Sequence, residues 1–280
     1  MSKFHIMHCI PNPRMHGLNG YKEVIETMTW GLEQLGHQVS YAVNSHSNDS
    51  INIVYGAQVA PLDALQALPD NSICYNLEQL RGLTPENVKP QIKYCVSRFR
   101  MWDYSPSNVD AWRTLGQTDV GIVPIGYAPI LSRIPEAKTQ DIDVLLYGMS
   151  GVRRLQVVHD LSQLGITVVF VSGLYGAARD ELIARSRIVL NINLYQWAKI
   201  FEVVRVSYLL ANRKAVVADI EPDTYVDEDI KGGIRFAPLK EIASNCSILI
   251  GDKAKRIALE EAGFEAISKR DIRKFLEAVL

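Results

Sequence analysis

Two stretches in the second half of the sequence carry residue types that bind phosphorylated ligands. In the first, an apolar segment is followed by Gly148, Ser150 and a second glycine, and then by Arg153 and Arg154. Such a loop exposes backbone amides at the start of a helix, and two guanidinium groups add positive charge. This combination predicts a diphosphate site. The alternative is that the glycines only form the turn and the arginines face solvent.

The second stretch, residues 191–205, is polar at first and then apolar. A helix that begins near Ile200 would direct its first amides, including that of Phe201, and the Lys199 ammonium towards a ligand. Glu202 would then lie in the first turn, where a carboxylate can accept two hydrogen bonds from a ribose diol. The alternative for Glu202 is an interaction with the helix dipole alone, worth up to about 1 kcal/mol. That alternative is weakened by the polar residues just ahead, which are Asn191, Asn193, Tyr195 and Gln196.

In the first half, a loop before the first long helix contains His16, Gly17 and Asn19. It lacks both the complete GxGxxG pattern and the P-loop pattern, so it is not an ATPase motif. The loop glycine and Asn19 would let backbone amides approach a ligand, and His16 could act as a base. Asn76 and Glu78 follow a short apolar segment and could face the same site. The alternatives are a surface histidine, a capping asparagine and a solvated glutamate.

Segments with strand character alternate with segments of helical period along the chain, which predicts parallel α/β sheets. The predicted strands are residues 4–10, 39–43, 51–55, 72–76, 92–96, 144–147, 167–171, 188–192 and 215–218. The predicted helices are residues 21–35, 109–115, 152–164, 178–186, 200–210, 253–262 and 269–278.

A proline-containing stretch without clear periodicity, residues 124–141, is predicted to be a linker. The fold class is therefore α/β, with two Rossmann-like domains in tandem at residues 1–130 and 131–280. The last helix could pack back towards the N-terminal domain. Open parallel sheets bind ligands at the carboxyl ends of their strands, so we expect the chemistry in a cleft between the two domains.

Composition excludes several classes of protein. The 280 residues include 30 Lys and Arg against 31 Asp and Glu, so no global positive field favours binding to nucleic acid. No apolar run approaches the roughly 20 residues that span a bilayer. The four cysteines are far apart in the sequence and none forms a CxxC pair, which predicts reduced thiols in a cytoplasmic protein.

Several catalytic and metal-binding motifs do not occur in the sequence. There is no HExxH, EF-hand loop or His/Cys cluster, so no protein-held metal is expected. There is no GxSxG elbow, which disfavours a serine hydrolase. Trp102, Tyr104 and Trp112 are not interleaved with Lys or Arg, so we expect them to pack in a core.

Residues 199–219, KIFEVVRVSYLLANRKAVVAD, resemble the nucleotide-sugar motif of GT-B glycosyltransferases, especially short bacterial and phage proteins of the family 1 or family 4-like type. The resemblance continues in both halves of the chain, in residues 76–80, 101–112, 123–129, 143–161, 171–192 and 260–272. It implies the GT-B fold. It also implies that Glu202 binds the donor ribose and that a loop and helix start hold the diphosphate. The other donor-side residues that it implies are Arg153, Arg154, Ser172, Gly173, Tyr175, Lys199, and either Tyr195 or Trp197.

The activity that the resemblance implies is metal-independent transfer of a sugar from a nucleoside diphosphate, with UDP favoured, to an acceptor hydroxyl. The acceptor would be a saccharide or a hydroxymethylated DNA base, and no cofactor beyond the nucleotide sugar is expected. Leu194 stands where many retaining members carry a glutamate, so the stereochemistry stays open; inversion would need a base such as His16 or Glu78. The alternative is a non-catalytic nucleotide- or sugar-binding module on the same fold. A dehydrogenase is disfavoured because the glycine fingerprint is incomplete.

Overall fold

The computed structural model describes residues 1–12, 14 and 16–280, with residues 16–18 described as backbone only. The chain forms two compact units. The first unit comprises Met1–Ala128 together with Asp271–Leu280, and the second comprises Pro129–Arg270.

The first unit is built on a six-stranded sheet in which each described pair of neighbouring strands is parallel. Its strands are β1 (Lys3–His8), β2 (Gln38–Val43), β3 (Ile51–Tyr55), β4 (Ile73–Asn76), β5 (Arg100–Asp103) and β6 (Val120–Ile122). They lie in the order β2-β1-β3-β4-β5-β6. The first four helices are α1 (Lys22–Gln34), α2 (Leu62–Gln66), α3 (Pro90–Arg98) and α4 (Val109–Thr114).

Helix α1 follows the predicted apolar stripe. Val24, Ile25, Met28 and Leu32 recur at the helical period and are all buried. Gly36 ends the helix region in the left-handed conformation, with φ of +83°, which a residue with a Cβ adopts at a cost.

One predicted strand is wrong. Residues 92–96 lie inside α3, where Pro90 occupies the first turn and Ile92 and Cys95, three residues apart, face the core. The strand at this place in the sheet is β5, which pairs with β4 and β6. The remaining predicted strands are confirmed, with bounds that differ by at most two residues.

The second unit contains a five-stranded parallel sheet in the order β11-β10-β9-β7-β8. Its strands are β7 (Ile142–Tyr147), β8 (Val168–Val171), β9 (Ser186–Asn191), β10 (Ala215–Asp219) and β11 (Arg235–Ala237). Its helices are α5 (Val152–Gln163), α6 (Ala177–Arg185), α7 (Val203–Ala211), α8 (Glu228–Lys231), α9 (Ile242–Gly251) and α10 (Lys253–Ser268). Strands β7, β9 and β10 are buried almost throughout, as expected for central parallel strands covered on both faces.

Helix α7 begins three residues later than the predicted start at Ile200. The backbone of Ile200 forms a parallel bridge with Tyr225, and the amide of Phe201 donates to the Tyr225 carbonyl at 2.9 Å. These two residues are therefore extended, and the expectation that the Phe201 amide points to a ligand is wrong.

The final helix, α11 (Ile272–Glu277), belongs to the first unit. It packs against α1 at Gly31, where an added Cβ would lie 2.8 Å from Ile272 Cγ2 and 2.9 Å from Leu276 Cδ1. The absence of a side chain at Gly31 lets the two helices approach closely. The interval predicted as helix, residues 269–278, is helical only from Ile272 because Asp271 caps the helix through the Arg273 amide.

All four cysteines are buried and carry free thiols. Burial raises the pKa of Cys9 and of Cys246 to about 12, so these thiols are held in the protonated form. Trp102, Trp112 and Tyr104 are buried, which confirms that they pack in the core. Across the described residues, no helix combines the length and apolar character needed to cross a membrane.

Candidate functional site

Two guanidinium groups converge on the loop that follows β7. Gly148 has φ of +125°, and a Cβ there would lie 2.9 Å from Arg154 Nη1 and 3.5 Å from Arg205 Nη2. Only glycine combines this backbone conformation with room for both cations. The carboxyl end of β7 therefore concentrates positive charge at an exposed loop.

Arg154, in the first turn of α5, is buried and fixed by backbone carbonyls. Its Nε donates to the Ile192 carbonyl at 2.8 Å, and its Nη1 donates to the Met149 carbonyl at 2.7 Å. Burial, followed by the positive charge of Arg205, lowers the pKa of Arg154 to about 10, while Glu202 acts in the opposite direction. The guanidinium stays charged at neutral pH, and its orientation is set by the protein.

Arg205 was not predicted as a site residue. Its Nη1 donates to the Tyr147 carbonyl at 3.2 Å, and its guanidinium lies 5.3 Å from the centre of the Tyr147 ring. A signal for it existed in the sequence. Arg205 lies three residues after Glu202, so a helix that begins between them places both near its first turn.

Glu202 lies immediately before α7 and is half-buried. Its carbonyl accepts a hydrogen bond from the Val206 amide at 3.2 Å, which starts the helix. Its charge influences Arg154, so the predicted ribose-binding carboxylate and one predicted diphosphate-binding arginine belong to the same electrostatic cluster.

The other two predicted cations have carboxylate partners at the end of β10 and on the loop that follows it. Arg153 Nη2 lies 2.7 Å from Asp219 Oδ2 and 3.0 Å from Glu221 Oε1. Lys199 Nζ lies 2.5 Å from Asp223 Oδ1. These pairs connect the loops after β7, β9 and β10, so Arg153 and Lys199 already neutralise acidic side chains within the second unit.

The remaining donor-side predictions lie at the carboxyl ends of β7, β8 and β9. Ser150 is exposed after β7, while Gly173 (φ +72°) and the half-buried Tyr175 follow β8. Tyr195 is exposed after β9, whereas Ile200 and Phe201 are buried. Thus the predicted residues share one edge of the sheet, but only some of them expose a side chain there.

Leu194 and Asn191 show how the loop after β9 is held. The Leu194 side chain packs on Gly151, whose added Cβ would lie 2.7 Å from Leu194 Cδ1. The Asn191 side chain at the end of β9 is buried, and neither atom of its amide has a hydrogen-bond partner among the described residues. An unsatisfied buried amide costs about 1–3 kcal/mol, which makes this strand end unusual.

In the first unit, Glu78 follows β4 and is fixed by two neighbours. Its Oε1 accepts a hydrogen bond from the Tyr21 hydroxyl at 2.5 Å and another from Gln58 Nε2 at 3.0 Å. These contacts orient the carboxylate at the carboxyl end of the sheet, and the catalytic role of Glu78 stays a prediction.

Asn76 has a different role from a ligand contact. Its Nδ2 donates to the Glu78 carbonyl at 2.8 Å and to Asp103 Oδ2 at 2.7 Å. Its Oδ1 accepts from the Glu78 amide at 3.2 Å. Asn76 is buried and holds the backbone of Glu78 in place.

Asp103, which the sequence did not single out, is the centre of this network. Its carboxylate accepts hydrogen bonds from Asn76, from Asn108 Nδ2, from Trp112 Nε1 at 2.7 Å and from the Ser105 amide at 2.8 Å. Burial raises its pKa to about 6, while the four donors act in the opposite direction. Asn108 Nδ2 also donates to the Glu78 carbonyl at 2.9 Å.

The prediction for the side chain of His16, and that for Gly17, fall outside the described part of the site, because both residues are described as backbone only. They and Asn19 belong to the short 3-10 helix His16–Tyr21. Among the described residues, no group of three His, Cys, Asp or Glu is placed to hold a metal ion.

No family model and no curated protein matches the chain. Solved structures do match it over nearly its whole length. Anabaena HepE in complex with UDP-glucose is 11% identical, with 99% of this chain and 98% of that chain covered and a TM-score of 0.60. WaaG, a glycosyltransferase involved in lipopolysaccharide biosynthesis, is 10% identical, with 98% and 97% covered and a TM-score of 0.58. The fold is GT-B.

A third similar structure is AviGT4, a glycosyltransferase involved in avilamycin A biosynthesis. It is 13% identical, with 99% of this chain and 97% of that chain covered and a TM-score of 0.59. The likeness confirms the predicted fold class of two α/β units, each with a parallel sheet. At such low identity a GT-B likeness gives the fold, and the chemistry must be argued from the site.

Proposed function

We propose that this GT-B protein is a glycosyltransferase that moves a hexosyl group from a UDP-sugar to an acceptor hydroxyl. The observation that carries the proposal is the convergence of Arg154 and Arg205 on Gly148, beside the helix start marked by Glu202. The similar HepE structures in complex with UDP and with UDP-glucose support the choice of donor.

The two arginines would bind the donor diphosphate. When the sugar leaves, negative charge develops on the β-phosphate, and positive groups already fixed in place stabilise it without reorganisation. Arg154 is held by two carbonyls and Arg205 by one, so both are oriented before a ligand arrives. We propose that they supply this charge without a metal ion.

Glu202 would bind the ribose. The bridge between Ile200 and Tyr225 fixes the backbone just ahead of Glu202. The position from which its side chain projects, at the start of α7, is therefore fixed as well. Two oxygens on one carboxylate match the two adjacent hydroxyls of a ribose.

Arg153 and Lys199 are assigned a supporting role in this proposal. Their ion pairs with Asp219, Glu221 and Asp223 hold the loop after β10 against the diphosphate and ribose loops. Arg153 contacts both carboxylates through Nη2, so the pairing leaves its other N–H groups able to contact a phosphate. Ser150, Gly173 and Tyr175 remain proposed donor contacts, the last two for the nucleobase.

On the acceptor side, Glu78 is the described carboxylate that suits the base of an inverting transfer. In that reaction the acceptor oxygen bonds to the anomeric carbon, the bond from that carbon to the diphosphate oxygen breaks, and UDP leaves with the bonding electrons. The acceptor proton passes to the base. A saccharide hydroxyl is the proposed acceptor, and a hydroxymethylated DNA base is the second candidate.

Calorimetric titration with UDP and with uridine tests the donor site. Substituting Arg205→Met should weaken UDP binding by about 10- to 100-fold, because a hydrogen bond to a charged group contributes about 1.5–3 kcal/mol. Uridine binding should change little, since it lacks the diphosphate. Arg187→Met is the matched control. Arg187, near the start of β9, pairs with Asp143, near the start of the neighbouring strand β7, so both lie away from the carboxyl ends of the strands.

Several results would contradict the proposal. Absence of UDP binding to the wild-type protein would remove the donor site, and equal losses for UDP and uridine would remove Arg205 from the diphosphate. Release of UDP from UDP-glucose, unchanged by EDTA, is the result expected of a metal-independent enzyme. A binding module, which Leu194 in place of a glutamate allows, would bind UDP-glucose and release nothing.

A further inference from the structure

Two aromatic side chains on the loop after β9 stack on each other in contact with solvent. The ring centres of Tyr195 and Trp197 are 5.0 Å apart, and the ring planes differ by 11°. Tyr195 is 49% exposed and Trp197 is 64% exposed. Trp102 and Trp112, by contrast, are fully buried. Exposing two large aromatic surfaces forgoes the burial that normally stabilises them, so packing does not explain this pair.

The loop that carries the pair is fixed at both ends. The Asn193 amide donates to Asp219 Oδ1 at 2.8 Å, and the Lys199 carbonyl accepts from the Tyr225 amide at 2.7 Å. Between them, the Ala198 amide donates to the Tyr195 carbonyl at 3.2 Å. The rings are therefore presented by an ordered loop, which reduces the entropic cost of binding a ligand on them.

The loop segment that carries the pair, residues 193–198, has no charged side chain. Leu194 brings this loop onto Gly151. Met149 and Val152, on either side of Gly151, are also largely exposed. An anion would find no cation within this segment, whereas a neutral ring with one apolar face would bury aromatic area and keep its polar edge in water.

We propose that the Tyr195–Trp197 pair is a stacking platform for a pyranose ring. The C–H groups on one face of the sugar would pack on the electron-rich aromatic face of the pair. The ring would come from the hexose of the donor or from a saccharide acceptor. The inference rests on the proposed function, because the platform lies on the loop that leads to Glu202.

The test compares three variants with the wild-type protein. Trp197→Ala removes the larger ring, Trp197→Phe retains an aromatic face, and Gln196→Ala is a control in the same exposed loop. Each is titrated calorimetrically with UDP, with UDP-glucose, and with the neutral trisaccharides maltotriose and cellotriose. Circular dichroism of each variant checks that the fold is retained.

The two sources of the ring give different results. If the donor hexose stacks on the pair, Trp197→Ala weakens the binding of UDP-glucose by about 5- to 10-fold and leaves the binding of UDP unchanged. The difference in affinity between the two ligands is then lost. If an acceptor stacks there, the same variant weakens trisaccharide binding by a similar factor and leaves both nucleotides unchanged. In either case Trp197→Phe retains most of the affinity and Gln196→Ala changes it less than Trp197→Ala does.

Other outcomes would overturn the inference. A loss of UDP affinity equal to that for UDP-glucose would mean that the pair stacks on the nucleobase. If Trp197→Ala leaves the affinity for UDP-glucose relative to UDP unchanged and affects neither trisaccharide, no sugar stacks on the pair. Failure of the wild-type protein to bind UDP would contradict the proposed function instead, and trisaccharide binding that depends on Trp197 would still support the platform.

Discussion

Two opposing effects act on the pKa of Asp103, which lies at the carboxyl end of β5. Burial favours the protonated carboxyl group, whereas four hydrogen-bond donors favour the carboxylate. Burial is the larger effect and raises the pKa from 3.8 to about 6. The substitution Asp103→Asn removes the titration while keeping the shape of the side chain.

The direction in which stability changes with pH follows from which state, folded or unfolded, binds more protons. With a folded-state pKa above the unfolded-state value, the folded protein holds the extra proton between about pH 4 and pH 6. The contribution of Asp103 to the free energy of unfolding is therefore fully present below pH 4 and is lost as the pH rises through 6. A shift of about 2 pKa units corresponds to about 3 kcal/mol, or about 1.4 kcal/mol per pH unit within that interval.

The assay is urea unfolding of the wild-type protein and of Asp103→Asn at intervals from pH 4 to pH 7.5. Both proteins carry Trp197→Phe, because the remaining tryptophans, Trp30, Trp102 and Trp112, then all report on the first unit. Other titrating groups are common to the two proteins and cancel in the difference. We expect the stability of the wild-type protein relative to Asp103→Asn to fall by about 3 kcal/mol over this range.

Asp110→Asn is the matched control, since its carboxyl group on α4 is exposed and its effect on stability should vary much less with pH. A difference between the wild-type protein and Asp103→Asn that is constant, or that increases with pH, would refute the reasoning. It would mean that the four donors balance or outweigh burial. If Asp103→Asn does not fold, carbon NMR of the Asp103 carboxyl group in the wild-type protein measures the pKa directly.

Three further predictions concern stability and thiol chemistry. Gly31→Ala should lower the free energy of unfolding, measured by urea denaturation, by about 1–3 kcal/mol, because the new Cβ would press on Ile272 and Leu276. Gly20→Ala is the control, because the space where its Cβ would lie is open. Equal effects of the two substitutions would contradict the close packing at Gly31. Asp252→Ala should cost about 0.5–2 kcal/mol in the same assay by removing the cap on the Lys255 amide, and an unchanged midpoint would contradict that role. All four thiols should react with a thiol reagent only on unfolding, since all are buried, and rapid labelling of the folded protein would contradict their burial.

The sequence predicted the α/β class, most strands and the principal helices because those features are local. Apolar periodicity and terminal glycines such as Gly36 are visible in a short window. The one misassigned strand, residues 92–96, is short and apolar, and such runs do not distinguish a strand from a buried helix. Pro90 was the available signal for a helix start, and it decides the assignment in the structure.

The site was predicted less completely, for reasons of chain distance. Arg153 and Arg154 are adjacent and equally basic in the sequence, but Arg153 turns to Asp219 and Glu221 while Arg154 turns to Gly148. The acidic partners are 66 and 68 residues away, so no local pattern could separate the two arginines. Asp103 was not predicted although Ser105, Asn108 and Trp112 are near it in the sequence. A local pattern shows neither that its carboxylate is buried nor that Asn76, 27 residues away, donates to it.

The interrupted first unit has a consequence for how the protein is made. Its residues come from Met1–Ala128 and Asp271–Leu280, whereas the second unit is the continuous segment Pro129–Arg270. During synthesis the chain emerges from its amino terminus, so the second unit can be complete while α1 still exposes the face around Gly31. The first unit to begin folding is then the last to finish. A fragment that ends at Ala128 would lack α11 and leave apolar surface uncovered, whereas the segment 129–270 contains its whole core.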